Sequence, residues 1–502
     1  MNTDLLTQAR HYEETYSGRI LPEERPLFHI TPTVGWLNDP NGFSYYQGKY
    51  HLFYQYNPYN THWASMHWGH LISEDLIRWE RLPAAMAPDQ QYDNAGVFSG
   101  SALALPDGRH LLMYTGVEEQ KRDDGFIDSR QTQCVAFGDG ENYQKYEHNP
   151  VITPEMLPEG SSTEDFRDPK IWWDEEEHRF YAVLGSRTRD GSGAIVLFRS
   201  PDALKWEYVS TLDCSRNQYG KMWECPDFFS LDGTDILIVS PMEMLAEGLE
   251  FHNGNNAAYI IGRYDRSAHT FERLELHSLD HGLDFYAPQT LLTPDGRRVL
   301  IGWMQSPETG HSQPHDIKWF GQMTIPRELS VQNGRLLQRP VRELERCRGE
   351  LVIYRNVYVR ERLCLPRVSG RCVDMTLLIR PAGGALYQKF TVKIAKDTEF
   401  YTAITYDPNN SVLRFDRSHS GFRHNIVSSR KALVRYQEGE IKLRFIIDRF
   451  SVEVFINDGE QVMTSTLYTP LNADSISFEA AGSAIIDVEK YSIELCPGGG
   501  GR

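Results

Sequence analysis

Residues 36–56 read WLNDPNGFSYYQGKYHLFYQY, and this stretch decides the fold class. Two runs dense in Tyr, Phe and Leu flank Gln47-Gly48. A residue that tolerates positive φ, followed by Gly and set between such runs, is the strongest local signal for a β-hairpin. The same pattern recurs along the chain. Asp107-Gly108 separates ALALP from HLLMYTG, Asp232-Gly233 separates DFFSL from DILIVS, and Asp295-Gly296 separates TLLTP from RRVLIGW. Asn333-Gly334 and Asn457-Asp458-Gly459 continue it. Helical periodicity is confined to the first twenty residues and to 339–347, where Pro340 stands near a helix start. The chain reads as all-β.

Two regions differ in character. Over 28–338 the hairpins are punctuated by short polar-aromatic motifs, and over 349–495 the motifs give way to regular alternation. In RFIIDRFSVEVFIN (444–457), Val452, Val454 and Ile456 share one face, while Glu453 and Phe455 take the other. That pattern suits a β-sandwich with one face of each sheet inward. The first region is too long for an ordinary sandwich and fits a propeller of four-stranded blades, although no strict sequence repeat accompanies it. The expected organisation is a partly helical extension (1–27), a propeller (28–338), a linker (339–348), a sandwich (349–495) and a flexible glycine-rich tail (496–502).

Composition narrows the function. Of 502 residues, 52 are Lys or Arg and 69 are Asp or Glu, a formal charge of −17, which opposes binding to a nucleic-acid backbone. Aromatic residues make up 12% and suit strands or stacking against sugar rings. A signal peptide needs about 7–15 consecutive apolar residues and a membrane span about 20. Neither run occurs, so a cytoplasmic protein with no membrane partner is expected. Seven cysteines, an odd number without metal-ligand spacing, read as free thiols. His67-x-x-His70 lies in a Trp/Gly-rich stretch rather than a helix, and HSQPHD (311–316) reads as a polar loop. No GxGxxG, Walker or GxSxG motif appears, and the reading assigns neither metal nor cofactor.

Three acids stand in dense aromatic contexts close to proline: Asp39 in WLNDPNG (36–42), Asp168 in FRDPK (166–170) and Glu224 in WECPDFF (223–229). Proline fixes its own φ and cannot continue a ladder, so each acid is expected at a strand's end, rigidly held. Blades of about 60 residues would put the three on different blades, converging on the axis. Asp407-Pro408, beside Asn409-Asn410, is by contrast plain turn chemistry.

These three segments resemble the signature motifs of glycoside hydrolase family 32, the invertase and fructan-hydrolase family, in order and spacing. WASMHWGH (63–70), GVFSGSA (96–102), DFYAPQ (284–289), GWM (302–304), TIPREL (324–329) and IIDRFSVEVFINDGE (446–460) are similar to further family segments. The resemblance covers roughly residues 25–490. It implies a five-bladed β-propeller followed by a C-terminal β-sandwich, with the active site in the axial funnel. It implies retaining hydrolysis of β-D-fructofuranosides such as sucrose and short fructooligosaccharides. Carried over by motif, Asp39 is the nucleophile, Glu224 the acid/base and Asp168 the transition-state stabiliser. Asn38, Gln55, Trp63, Phe98, Ser99, Arg167 and Trp303 match fructose-site positions, and Asp284 and Tyr286 are site or support residues. The implied partner is a small-molecule sugar, and the chain is expected as a monomer or homodimer.

The chemistry fits that division of roles. A fructosyl transition state is oxocarbenium-like, and retention needs one carboxylate to bond the anomeric carbon and one acid beside the leaving oxygen, about 5–5.5 Å apart. Asp168 is expected to stay ionised beside Arg167 and to gain hydrogen-bond strength as charge develops. Cys225, without a His partner in sequence, reads as packing. Within the class, sucrose 6-phosphate is the alternative substrate, for which Lys318 near His315 is a candidate phosphate ligand. Fructosyl transfer would use the same residues. A non-catalytic sugar-binding propeller would not need three acids, and an inverting arabinan-type hydrolase would hold its carboxyls about 6.5–9.5 Å apart.

Overall fold

The computed structural model describes residues 4–311, 313–314, 316–422 and 427–495. Five antiparallel sheets follow one another over Gly35–Pro340, each built from successive hairpins. Three of the anticipated turns, Gln47-Gly48, Asp232-Gly233 and Asn333-Gly334, have positive φ at both central residues, the hairpin geometry that matches strand twist. The innermost strands are β1 (Gly35–Tyr46), β2 (Gly96–Ala104), β3 (Phe166–Asp174), β4 (Met222–Leu231) and β5 (Tyr286–Leu292). The ring is closed by Trp319–Phe320, which pairs in parallel with Gly35 and Trp36 at the start of β1. This is the five-bladed propeller that the motifs imply.

The helix α1 (Asp4–Tyr16) packs Leu6 and Ala9 on the first blade, and Arg10 Nε and Glu13 Oε2 bond the Ala84 carbonyl and amide. After the last blade, a 3-10 helix at Arg342–Cys347 buries Leu344 and Cys347 and leads into the second domain. There one ten-stranded sheet curls on itself to make the two layers of the sandwich. Its spine is the long strand β7 (Ser475–Ile493), which pairs along its length with Arg348–Leu363, Val373–Pro381 and Lys389–Lys396.

Alternation in RFIIDRFSVEVFIN gave one buried face; in the structure both faces of strand β6 (Ser451–Ile456) are buried. Val452, Val454 and Ile456 enter the sandwich core, while Phe455 joins the core shared with the propeller. Glu453 and Asp448 grip the propeller through charge. The His29 imidazole lies between them, Nδ1 at 2.9 Å from Asp448 Oδ2 and Nε2 at 3.0 Å from Glu453 Oε1. Arg327 Nε donates to Glu453 Oε2 at 2.9 Å and its Nη1 to Asp280 Oδ2 at 3.1 Å. All five side chains have 0% exposure. Buried ions of both signs with their hydrogen bonds satisfied give a rigid, specific joint.

Candidate active site

Each innermost strand carries a bulge near its start, on its pairing with the second strand of the blade, and β1 carries a second at Gly42-Phe43. The bulged residues near the starts are Asn38-Asp39 in β1, Ser99 in β2, Asp168-Pro169 in β3, Cys225-Pro226 in β4 and Ala287-Pro288 in β5. A bulge leaves a residue off the ladder and re-aims its side chain, and proline costs no hydrogen bond there. Asp168, Cys225 and Ala287 have φ of 64°, 48° and 49°, strained values for non-glycine residues. Asp39 and Asp168 therefore lie inside the innermost strands at bulges, and Glu224 lies in register beside one, not at strand ends as the prolines suggested.

The bulges turn these groups into one cavity of about 490 Å³. Asp39, Asp168 and Glu224 line it, together with Asn38, Gln55, Trp63, Phe98, Ser99, Arg167, Tyr286 and Trp303. Asp284 does not: its carboxylate is held by Arg417 and by the Thr466 backbone amide at 2.8 Å, in the joint with the second domain. Lys318 is also elsewhere. Its ammonium bonds Glu24 at 2.8 Å and the Arg19 carbonyl at 2.9 Å, which removes it as a phosphate ligand in the cavity. His311 lines the cavity; Ser312 and His315 of the same segment lie outside the described residues.

Asp39 is fixed from both sides: Asn38 Nδ2 donates to Oδ1 at 3.0 Å and Ser99 Oγ to Oδ2 at 2.8 Å, while Trp36 Nε1 holds Asn38 at 2.7 Å. Asp168 accepts the Cys225 amide at 2.9 Å. The Cys225 thiol lies 3.6 Å from both Asp39 Oδ2 and Asp168 Oδ2, so it touches two carboxylates, a closer role than packing. Burial, reinforced by those carboxylates, pushes that thiol well above its ordinary pKa and keeps it protonated. Glu224 receives Arg167 Nε at 2.9 Å and the Tyr286 hydroxyl at 2.6 Å. Arg167 is shared with Asp165, Nη1 to Oδ1 at 3.0 Å. The aromatic rim is built by Trp63 edge-on to Phe98 at 5.8 Å and Trp36 edge-on to Trp303 at 6.0 Å.

The electrostatics differ from expectation at Asp168. Burial outweighs the adjacent Arg167 guanidinium, and with Glu224 and Asp39 nearby the carboxyl is pushed up to about 7. Asp39 is likewise raised, by burial and then by Glu224, against the donors from Ser99 and Asn38. Burial and the neighbouring carboxylates thus bias both Asp39 and Asp168 toward the protonated form. Sequence reading missed Trp36, Gln131, Asp165, Met242 and His311 as lining residues. Trp36 opens one motif already singled out and Asp165 adjoins another, whereas Gln131 and Met242 had no local signal.

Comparison with known proteins gives a consistent answer. Residues 29–340 match the model for the glycosyl hydrolases family 32 N-terminal domain, and residues 343–494 the model for that family's C-terminal domain. A sucrose-6-phosphate hydrolase of Escherichia coli is 34% identical over 499 residues, covering 96% of this chain and 98% of that protein. A β-fructofuranosidase of Bombyx mori, solved as a mutant with sucrose, superposes with a TM-score of 0.83 at 33% identity, covering 98% of this chain and 99% of that one. A sucrose-6-phosphate hydrolase of Lactobacillus gasseri gives 0.82 at 26% identity, over 98% and 99%.

Proposed function

The chain belongs to glycosyl hydrolase family 32, and on that premise we propose that it hydrolyses the β-D-fructofuranosidic bond of sucrose 6-phosphate with retention. The observation that carries this reading is the set of sucrose-6-phosphate hydrolases that match along nearly the whole chain. In this mechanism Asp39, oriented by Asn38 and Ser99, attacks the anomeric carbon and forms a covalent fructosyl ester. Glu224 protonates the leaving oxygen, then takes a proton from the water that cleaves the ester. Tyr286 and Arg167 fix its carboxyl. Asp168, anchored by the Cys225 amide, binds fructose hydroxyls and strengthens those bonds as positive charge develops. Phe98 and Trp303 cover the apolar face of the ring, and Trp63 stands at the rim on the leaving-group side.

A second reading, unphosphorylated sucrose or short fructooligosaccharides, is favoured by a specific feature of the cavity. Five carboxylates, Asp39, Asp168, Glu224, Glu164 and Asp165, line the cavity with only Arg167 and His311 as basic lining residues, and Arg187, outside the lining, is engaged by Asp165 at 2.7 Å. Arg167 is already engaged by Glu224 and Asp165. The discriminating experiment compares kcat/KM for sucrose and sucrose 6-phosphate. A preference of tenfold or more for the phosphorylated sugar upholds the first reading; an equal or reversed preference replaces it with the second.

Two further results are expected. Glu224→Gln should lower turnover of sucrose-type substrates by about 10²–10⁴-fold, and that of a fructoside with an acidic leaving group far less in the first step. Equal losses on both would remove the acid role. A plot of kcat/KM against pH should rise as pH climbs through about 7, where Asp168 in the free enzyme loses its proton and can act as a carboxylate. A kcat/KM that stays level across that point would contradict the raised Asp168 carboxyl.

A further inference from the structure

The innermost strands serve two chambers. Asp39 of β1, Asp168 of β3, Glu224 of β4 and Tyr286 of β5 line the catalytic cavity. Further along the same strands Phe43, Lys170, Asp227 and Thr290 line another, of about 800 Å³, at the opposite mouth of the axis. Its floor holds an uncompensated positive charge. Lys170 Nζ donates to the Thr290 carbonyl at 2.5 Å and pairs with Asp227 Oδ2 at 3.1 Å. Arg298 packs over the Phe229 ring at 4.5 Å and makes one long contact, 3.4 Å, to Thr290 Oγ1. Among the described residues no carboxylate stands within ion-pair distance of Arg298. Two cations thus share one carboxylate where burial penalises both charges.

The acids at the lip do not supply the missing charge to the floor: Asp174 is held by Arg266 at 2.7 Å, Glu177 accepts the Tyr181 hydroxyl, and Glu175 is exposed. One wall is aromatic. Trp172, Phe228 and Tyr264 are each half-buried and contiguous, with ring centroids 6.1 Å and 5.1 Å apart.

We propose that this far chamber is a second ligand site, separate from catalysis, that binds a hexose phosphate. The phosphate would lie on Arg298 and Lys170, where a guanidinium fork matches two phosphate oxygens, and the sugar's C–H face would lie on the aromatic wall. The site does not depend on which fructoside the enzyme cleaves.

Calorimetric titration of the full chain tests it with three probes: inorganic phosphate, glucose 6-phosphate and glucose. Glucose 6-phosphate should bind once per chain, inorganic phosphate about tenfold more weakly, and glucose not measurably at the same concentrations. Arg298→Gln should weaken glucose 6-phosphate about tenfold or more. Tyr264→Ala should weaken glucose 6-phosphate but not inorganic phosphate. Saturating sucrose on the Asp39→Asn protein, which fills both the fructose and the leaving-group sides of the catalytic cavity, should change nothing. Undiminished affinity in Arg298→Gln, full competition by sucrose on the Asp39→Asn protein, or no binding of either phosphate would overturn the proposal. Equal affinity for the two phosphates would overturn its sugar half. If Arg298→Gln does not fold, Leu292→Glu, at a lip residue 56% exposed, places a repelling carboxylate there and should weaken both anions.

Discussion

Asp39→Asn is expected to lower kcat by about 10⁴–10⁶-fold while leaving the protein folded and no less heat-stable. The asparagine amide has nearly the same shape but cannot form the fructosyl ester. The stability expectation has its own physical basis. Burial and the Glu224 carboxylate both disfavour a charged Asp39, and only hydrogen bonds from its neighbours oppose them. A neutral side chain in that position removes a repulsion from the cluster, so the melting temperature should hold or rise. Initial rates and a thermal scan on the same preparation check both halves. Activity within tenfold of wild type would remove Asp39 as the nucleophile; a large drop in melting temperature would show that the site is not electrostatically strained.

The second large effect lies in the joint between the domains. Glu453→Ala should cost about 3–5 kcal/mol, the range for breaking a buried ion pair, because Arg327 and His29 would each lose one of their two carboxylate partners in a dry interface and keep only Asp280 and Asp448. Glu453→Gln, which keeps the side chain's volume, separates the lost charge from the lost packing. The pH dependence gives an independent reading. His29 is raised from 6.5 to about 9: burial opposes its charge, but Asp448 and Glu453 prevail. Its folded pKa exceeds the unfolded value, so its stabilising contribution is complete below pH 6.5 and is lost as pH rises through about 9. Asp448 and Glu453 are depressed despite their burial, by His29 and by Arg327 respectively, and their contribution fades only in acid. Wild-type stability should therefore decline between about pH 6.5 and 9, and Glu453→Ala should flatten that decline. An unchanged slope in denaturant titrations across that range would contradict the assignment.

What could be read from the sequence was whatever is encoded locally. Gln47-Gly48 and Asp232-Gly233 announce hairpins because a two-residue turn needs particular residues at its own positions. The three acidic motifs were legible for the same reason: each acid sits with its proline and aromatic neighbours in a run of five to seven residues. The bulges were not legible, since a bulge exists only relative to a partner strand, and so the acids were expected at strand ends. Glu453 shares with Phe455 the face of an alternating strand opposite Val452, Val454 and Ile456, and nothing nearby in sequence says that the propeller covers that face. Gln131 and Met242 reach the cavity from the second and fourth blades, and only the packing of successive blades brings them beside Asp168. The raised Asp168 carboxyl had the same origin: Arg167 next to it was visible, but the burial that outweighs it was not.

The central claim is a covalent fructosyl ester on Asp39, and mass spectrometry of a trapped enzyme tests it most directly. In Glu224→Gln, a fructoside with an acidic leaving group can complete the first step without an acid, while the second step lacks its base. The account predicts that the peptide containing Asp39 gains the mass of one dehydrated fructose, and that Asp39→Asn/Glu224→Gln gains none. Leaving-group release without any adduct, or an adduct on the peptide containing Asp168, would contradict it.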